Sequence, residues 1–279
     1  MAQVADVAAF IEQIAPASLA EPWDNVGLLF GGWSWPVEHI LLALDATPAV
    51  VAQAGGLQDA MIITHHPLFF APIRALVEGD LAHHVVCDLA KGDVALFSAH
   101  TNLDKSPTHG TAVALAEALG LGPVEPLAPC RPWEGEGDEH AETPPPGFGG
   151  IVTMPEGTNC AELAALVAQR LRARVVQLVG HARGAAVRVA LVPGSGGDAL
   201  GLAREAGAQV MVTGEIKHHE ALEAEVLGPA VITAGHFETE RPVLHLLQSY
   251  LRERLPDVDI RIAEESPPIW SVQTADSGG

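Results

Sequence analysis

Residues 61–67 read Met-Ile-Ile-Thr-His-His-Pro, a short apolar run that stops at two imidazole side chains and a proline. Two similar apolar runs, at residues 39–44 and 94–98, end directly before Asp45 and two residues before His100. Helical patterns separate these runs, and one of them opens with Thr47 and Pro48, residue types that start helices. Short strands that alternate with helices predict a layered α/β fold. The ligand crevice of such a fold lies at the carboxyl ends of its strands, where these polar residues stand.

The second half of the chain repeats the same alternation, with strands predicted at residues 151–154, 175–179, 187–192, 210–213, 231–234 and 258–262. Residues 124–147 are rich in proline and acidic side chains, which is typical of a loop between domains. We therefore predict two layered α/β domains of similar topology, at residues 1–123 and 148–265. The last segment, residues 266–279, is expected to be a frayed tail. The two halves show no repeat at the level of sequence.

The overall charge excludes several classes of partner. The chain has 279 residues, with 15 Lys and Arg against 35 Asp and Glu, so its formal net charge is −20. Such a protein is not expected to bind nucleic acid strongly or to sit on an anionic membrane. Three scattered cysteines without a CxxC motif indicate a reducing compartment, and the N-terminus lacks the pattern of a secretory signal. We expect a cytoplasmic protein with a small-molecule substrate.

Three predicted strand ends carry imidazole and carboxylate side chains together. Nitrogen and oxygen donors without thiolates suit divalent zinc, iron, manganese or nickel, and a carboxylate can serve two ions at once. An isolated His-His dipeptide is more often a pair of partly exposed loop residues. The prediction of a metal site therefore depends on the side chains at the neighbouring strand ends. The side chains concerned are His65, His66, His100, Asp104, His236 and Glu240.

Two further segments at strand ends have more than one interpretation. His218 and His219 follow the polar stretch Thr213-Gly-Glu-Ile-Lys217, where they could line a substrate pocket or play a structural part. Residues 193–197, Pro-Gly-Ser-Gly-Gly, precede a predicted helix. Their backbone N–H groups could cradle a phosphate, although a tight turn explains the glycines equally well.

Six motifs follow one another along the chain: Glu21-Pro-Trp-Asp-Asn-Val-Gly27, Leu44-Asp-Ala-Thr-Pro48, Thr64-His-His-Pro67, His100-Thr-Asn-Leu-Asp104, Thr213-Gly-Glu-Ile-Lys217 and Gly235-His-Phe-Glu-Thr-Glu240. In this order they resemble the motifs of the NIF-three-like proteins, which are often called GTP cyclohydrolase 1 type 2. The resemblance covers about residues 4–261, and the chain matches the short form that lacks an inserted middle domain. Two departures from the usual motifs are Glu215 in place of Asp and Thr239 in place of Ser.

The resemblance implies a dinuclear metal centre in the crevice between the two domains, and a homohexamer. Asp104 and Glu240 would bridge two divalent ions in each subunit. His100 matches a residue near the centre that is not a ligand, and it would take part in catalysis together with His218. The role of Asp24 and Asn25 in the first motif is left unassigned. The implied metal ligands are His65, His66, Asp104, His236 and Glu240.

The activity that the family name implies is hydrolysis. A metal-activated water would open the imidazole ring of the guanine in GTP, or would attack a related nucleotide or phosphoester. The alternative from another functional class is a non-catalytic metal carrier, or a regulatory interaction protein. An enzyme should turn over while it retains its metal, whereas a carrier should exchange metal quickly and show no turnover.

Overall fold

The computed structural model describes residues 1–130, 144–181 and 184–269. The strands in these ranges are β1 (Ala2–Gln3), β2 (Gly27–Phe30), β3 (Pro36–Val37), β4 (His39–Ala43), β5 (Ala60–Thr64), β6 (Ala95–Ser98), β7 (Glu125–Pro129), β8 (Gly147–Thr153), β9 (Gln177–Val179), β10 (Arg188–Ser195), β11 (Val210–Glu215), β12 (Ala230–Thr233) and β13 (Asp259–Ile262). The α-helices are α1 (Val4–Ile14), α2 (Pro48–Ala54), α3 (Leu81–Gly92), α4 (Thr101–Asp104), α5 (Thr111–Leu119), α6 (Cys160–Leu171), α7 (Leu200–Glu205), α8 (His218–Leu227), α9 (His236–Glu240) and α10 (Pro242–Arg254).

The first sheet has the strand order β13-β4-β5-β6-β2, in which only β2 runs antiparallel to its neighbour. Its central strands are apolar on both faces because helices cover both faces. Ile40 and Leu42 of β4 pack with residues of α1 and α10, whereas Leu41 and Ala43 pack with residues of α2 and α3. Helix α2 begins as predicted, because the Thr47 hydroxyl accepts a hydrogen bond from the backbone N–H of Val50.

The second sheet has the order β7-β8-β10-β11-β12-β9. Its three central strands, β10, β11 and β12, are parallel, and β9 lies antiparallel beside β12. The first sheet has the same arrangement: β4, β5 and β6 are parallel, and β2 lies antiparallel beside β6. The predicted α/β fold with two similar topologies is therefore confirmed.

Two of the predicted boundaries are corrected by the strand pairing. Strand β13 was expected within the second domain at residues 148–265, but it pairs with β4 at the edge of the first sheet. Helix α10 carries the chain there, because its Leu247 and Leu251 bury against the first sheet. Sequence order alone does not reveal which sheet a last strand joins.

The predicted loop at residues 124–147 also contains a strand. Residues of β7 pair with β8, although Pro126 and Pro129 lie within β7. Proline is tolerated there because β7 is an edge strand, where one side needs no N–H donors. Residues 131–143 of that loop, and residues 270–279 of the predicted tail, lie outside the described residues.

The two sheets meet through helix α5. Ala114 belongs to the apolar core of the first sheet, whereas Leu115 and Leu119 belong to the core of the second. The segment from β12 through α9 and α10 to β13 joins the sheets a second time. None of the described helices is long and apolar enough to cross a membrane.

The position of β13 gives a testable consequence for stability. Ile260 is 1% exposed in the core of the first sheet, so Ile260→Ala should lower the free energy of unfolding by about 2–4 kcal/mol. Ile269, which is 76% exposed, provides the matched control. Ile269→Ala should change the free energy of unfolding by less than about 0.5 kcal/mol. Urea denaturation measures both variants. Equal, small effects would contradict the burial of β13 in this core.

Candidate metal centre

His65 and His66 prolong the pairing between β5 and β4 beyond the end of β5. The backbone N–H of His65 donates to the carbonyl of Ala43 at 3.1 Å, and that of His66 donates to Leu44 at 2.9 Å. The Thr64 hydroxyl donates to the carbonyl of His66 at 2.8 Å, which closes a turn before the proline. The two imidazole rings consequently lie on the same side, with their centroids 5.0 Å apart.

His236 and Glu240 arrive from the second sheet on the short helix α9. Gly235, with φ of 97°, turns the chain directly after β12, and α9 starts at His236. One turn separates His236 from Glu240, so both side chains lie on one face of the helix. Nε2 of His236 lies 3.1 Å from Oε2 of Glu240. Glu240 is 6% exposed, so its carboxylate is held inside the crevice.

The two oxygens of the Glu240 carboxylate face different histidines. Oε2 lies 3.1 Å from Nε2 of His66 and 3.1 Å from Nε2 of His236. Oε1 lies 3.9 Å from Nε2 of His65, which in turn lies 3.6 Å from Oδ1 of Asp104. The five side chains that the resemblance implied as ligands therefore lie together, although His65 and Glu240 are 175 positions apart in the sequence.

The Nδ1 atom of each imidazole is held by an acceptor outside this group. Carbonyl and carboxylate oxygens accept hydrogen bonds, so Nδ1 donates in each case and the ring turns Nε2 towards the crevice. Histidines that bind metals are usually oriented in this way. The contacts are His65 to the carbonyl of Ala99 at 3.0 Å, His66 to Asp45 at 3.0 Å, His236 to Glu215 at 3.2 Å, and His100 to Asp24 at 3.0 Å.

The pKa values reflect how closely these groups are packed. Burial lowers the pKa of His65, so its imidazole is neutral. Burial acts in the same direction on His66, but Asp45 and Glu240 outweigh it and raise the pKa of His66 to about 10. Contact with Glu240 raises the pKa of His236 to about 9. Burial opposes ionisation of Glu240, yet the imidazoles of His236 and His66 hold the pKa of this carboxyl well below its usual range.

These residues fit a divalent metal by geometry and by chemistry. Two ligands that each lie about 2.1 Å from one ion are roughly 3–3.5 Å apart, which is close to the spacing of these side chains. Two buried atoms, Nε2 of His65 and Oε2 of Glu240, have no well-aligned hydrogen-bond partner among the described residues. The potential ligand atoms of His66, His236 and Glu240 lie within 4.8 Å of one another, as do those of His65, His66 and His100.

His100 lies at the side of this group, and Asp24 positions it. The carboxylate of Asp24 accepts hydrogen bonds from Nδ1 of His100 and from the backbone N–H of Thr101, both at 3.0 Å. Asn25 donates to the carbonyl of Phe69 at 2.7 Å. The motif at residues 23–25, whose role the sequence left unassigned, thus supports two loops beside the crevice.

His218 lies apart from the five side chains. It is exposed at the first position of α8, and no hydrogen bond or ring contact within the described ranges joins it to them. Its predicted part in catalysis remains a prediction.

Three contributors to the site were not predicted from the sequence. Asp45 and Glu215 orient histidines, and both stand at strand ends within motifs where carboxylates could have been suspected. Gly194 is the third, because a Cβ atom there would lie 3.2 Å from Nε2 of His236 and would collide with the carboxylate of Glu240. The backbone N–H of Gly194 donates to the hydroxyl of Thr239, which favours the tight-turn interpretation of residues 193–197.

Comparison with known proteins shows to which family this chain is similar. The profile of the Duf34/NIF3 (NGG1p interacting factor 3) family matches residues 2–268. A "GTP cyclohydrolase 1 type 2 homolog" of Clostridium perfringens is 32% identical over 94% of this chain and 96% of its own. "NIF3-like protein 1" of Drosophila melanogaster is 30% identical over 87% of this chain and 80% of its own.

Solved structures show the same architecture. The Staphylococcus aureus hypothetical protein SA1388 superposes with a TM-score of 0.87 at 27% identity, over 97% of this chain and 99% of its own. A Bacillus cereus protein related to NIF3 gives a TM-score of 0.87 at 25% identity, with the same coverage of both chains. The expected family is confirmed: this chain belongs to the Duf34/NIF3 family.

Proposed function

We propose that this protein is a metal-dependent hydrolase in which two divalent ions share the carboxylate of Glu240. The observation that carries the proposal is the division of that carboxylate between two groups of side chains. Its Oε2 atom faces His66 and His236, whereas its Oε1 atom faces His65 and, beyond it, Asp104. In this proposal Asp104 is the second bridging ligand, and zinc, iron, manganese or nickel would suit the donor set.

The crevice is open on the side of the histidines, which supports an enzyme rather than a structural metal site. The side chains of His66 and His236 are 21% and 34% exposed, so a substrate can reach them. Structural sites are usually closed, whereas catalytic sites keep a position for water or substrate. When bound, divalent ions would act as Lewis acids that activate water at neutral pH.

His100 is the residue proposed to move protons at this centre. Asp24 holds its Nδ1 atom, and its ring lies 5.1 Å from the ring of His65 and 5.5 Å from that of His66, measured between centroids. An imidazole in this position can donate a proton to a leaving group without contributing a ligand. His218 is proposed to contact the substrate from the second sheet, since it follows Glu215 by only three positions.

The proposed substrate is a nucleotide or another small phosphorylated compound. Several relatives carry the name "GTP cyclohydrolase 1 type 2 homolog", so GTP is the first compound to assay. The first experiment is metal analysis of the purified protein, followed by a screen of nucleotides and phosphoesters. Rapid exchange of the metal without any turnover would contradict the hydrolase and favour a metal carrier.

Assembly as a homohexamer is also proposed. Two large apolar side chains beside His100 are exposed, Trp23 at 59% and Phe70 at 51%, and their rings lie 6.0 Å apart. Apolar surface of this kind often marks an interface between subunits. Light scattering should give six times the mass of one chain, and a monomeric mass would contradict this assembly.

The ligand assignment can be tested by comparing two variants. Asp104→Ala should lose both ions, because it removes a proposed bridge. His100→Ala should keep the metal near the level of the unmodified protein but lower any turnover by about 10²–10⁴-fold. The metal-to-protein ratios of the two variants test this assignment. His218→Ala should also retain the metal. Equal metal loss in His100→Ala and Asp104→Ala would place His100 among the ligands.

Removal of the metal should lower the melting temperature. A ligand present at 100 times its dissociation constant stabilises the folded state by about 2.7 kcal/mol, which corresponds to about 5–10 °C for a chain of this size. A strong chelator, with metal loss verified, is added before calorimetry. The Asp104→Ala variant is the control, because a chain that has already lost its metal should respond less. An unchanged melting temperature in the unmodified protein would show that the fold does not depend on the metal.

A further inference from the structure

Arginines are concentrated around one cavity of this acidic protein. The chain has 12 Arg among its 15 basic residues, against 35 acidic ones. A cavity of about 790 Å³ is lined by four of them, Arg170, Arg172, Arg174 and Arg241. Ligand pockets are commonly about 300–1,000 Å³, so this cavity has room for a small organic anion.

Helix dipoles explain only part of this concentration. Arg170 is in the last turn of α6 and Arg172 directly follows that helix, where cations are favoured by the negative end of the dipole. Arg241 lies directly between two helices: it precedes α10, where the positive end of the dipole disfavours a cation, and it follows the short helix α9. Its guanidinium lies 5.7 Å from the centre of the Phe237 ring, which holds it towards the cavity.

Three of these arginines have no ion pair in the part of the chain that the structure describes. Glu117 and Glu238 also line the cavity, so arginines outnumber carboxylates in its lining. Among the described residues, neither Arg170, Arg172 nor Arg241 has a carboxylate oxygen within 4.0 Å. Guanidinium groups bind phosphate oxygens in pairs of parallel hydrogen bonds, which makes arginine well suited to phosphate recognition.

The cavity lies next to a second one that reaches the metal centre. A second cavity of about 290 Å³ shares Arg174, Phe237 and Glu238 with the first and is also lined by His236 and Glu215. Helix α9 therefore carries the metal ligands His236 and Glu240 on one side, while Phe237 and Glu238 border the arginine cavity. A ligand held at the arginines can extend along α9 to the open side of His236.

We propose that this arginine cavity binds the phosphate groups of the small-molecule substrate and directs the rest of that molecule to His236. The inference rests on the proposed function, to which it adds a position for the phosphates. A polyphosphate chain fits better than a nucleic acid strand, since the net charge of −20 repels a long polyanion.

Inorganic tripolyphosphate is the direct probe, titrated calorimetrically into the metal-loaded protein. Arg170→Gln and Arg241→Gln should each raise the dissociation constant at least tenfold, with unchanged metal content and melting temperature. Arg204→Gln is the matched control, because Arg204 is exposed at the end of α7 and does not line the cavity. This control should leave the dissociation constant within twofold of the original value.

Further results separate this proposal from the proposed function. Tripolyphosphate binding that depends on the arginines but occurs without turnover of any nucleotide would support the phosphate site and contradict the hydrolase. Turnover with an unchanged KM in Arg170→Gln and Arg241→Gln would contradict the phosphate site alone. Binding that is lost in Asp104→Ala but unaffected by both arginine variants would place the anion on the metal and overturn the proposal, as would no binding at all.

Discussion

The buried carboxylate of Glu240 is the constraint on which the arrangement of the two sheets depends. An ionised carboxylate in the protein interior costs several kcal/mol unless charged or hydrogen-bonding groups surround it. Here the compensating groups come from both halves of the chain, with His236 on α9 and His65 and His66 after β5. The carboxyl ends of the two sheets must therefore face each other across one crevice.

Several local features follow from this constraint. Gly194 leaves room for the Glu240 carboxylate, and the positive φ of Gly235 directs α9 back across the ends of the strands. From α9 the chain continues through α10 into β13, so the second half of the sequence completes the first sheet. The residues that form the crevice thus also connect the sheets, and stability and site geometry are coupled.

The distribution of charge separates two kinds of binding surface. Carboxylates concentrate at the crevice, where Asp24, Asp45 and Glu215 each orient an imidazole. Such an environment attracts cations and makes it costly to bring an anion to the same place. In the proposed phosphate site, the arginines beside α9 would offset this cost by providing positive charge a short distance from the acidic crevice.

Local sequence determined the start of α2, the end of α5 and the identity of the clustered side chains. Thr47 and Pro48 start α2, and Gly120 ends α5 with a φ of 71°, because these effects act within a few residues. The run at residues 61–67 likewise located the histidines at a strand end. Only the tertiary structure decided that β13 joins the first sheet, that β7 forms at an edge despite its prolines, and that Arg170 and Arg241 share a cavity. These outcomes depend on packing between segments far apart in the chain, and such contacts leave no periodic or local signal in the sequence.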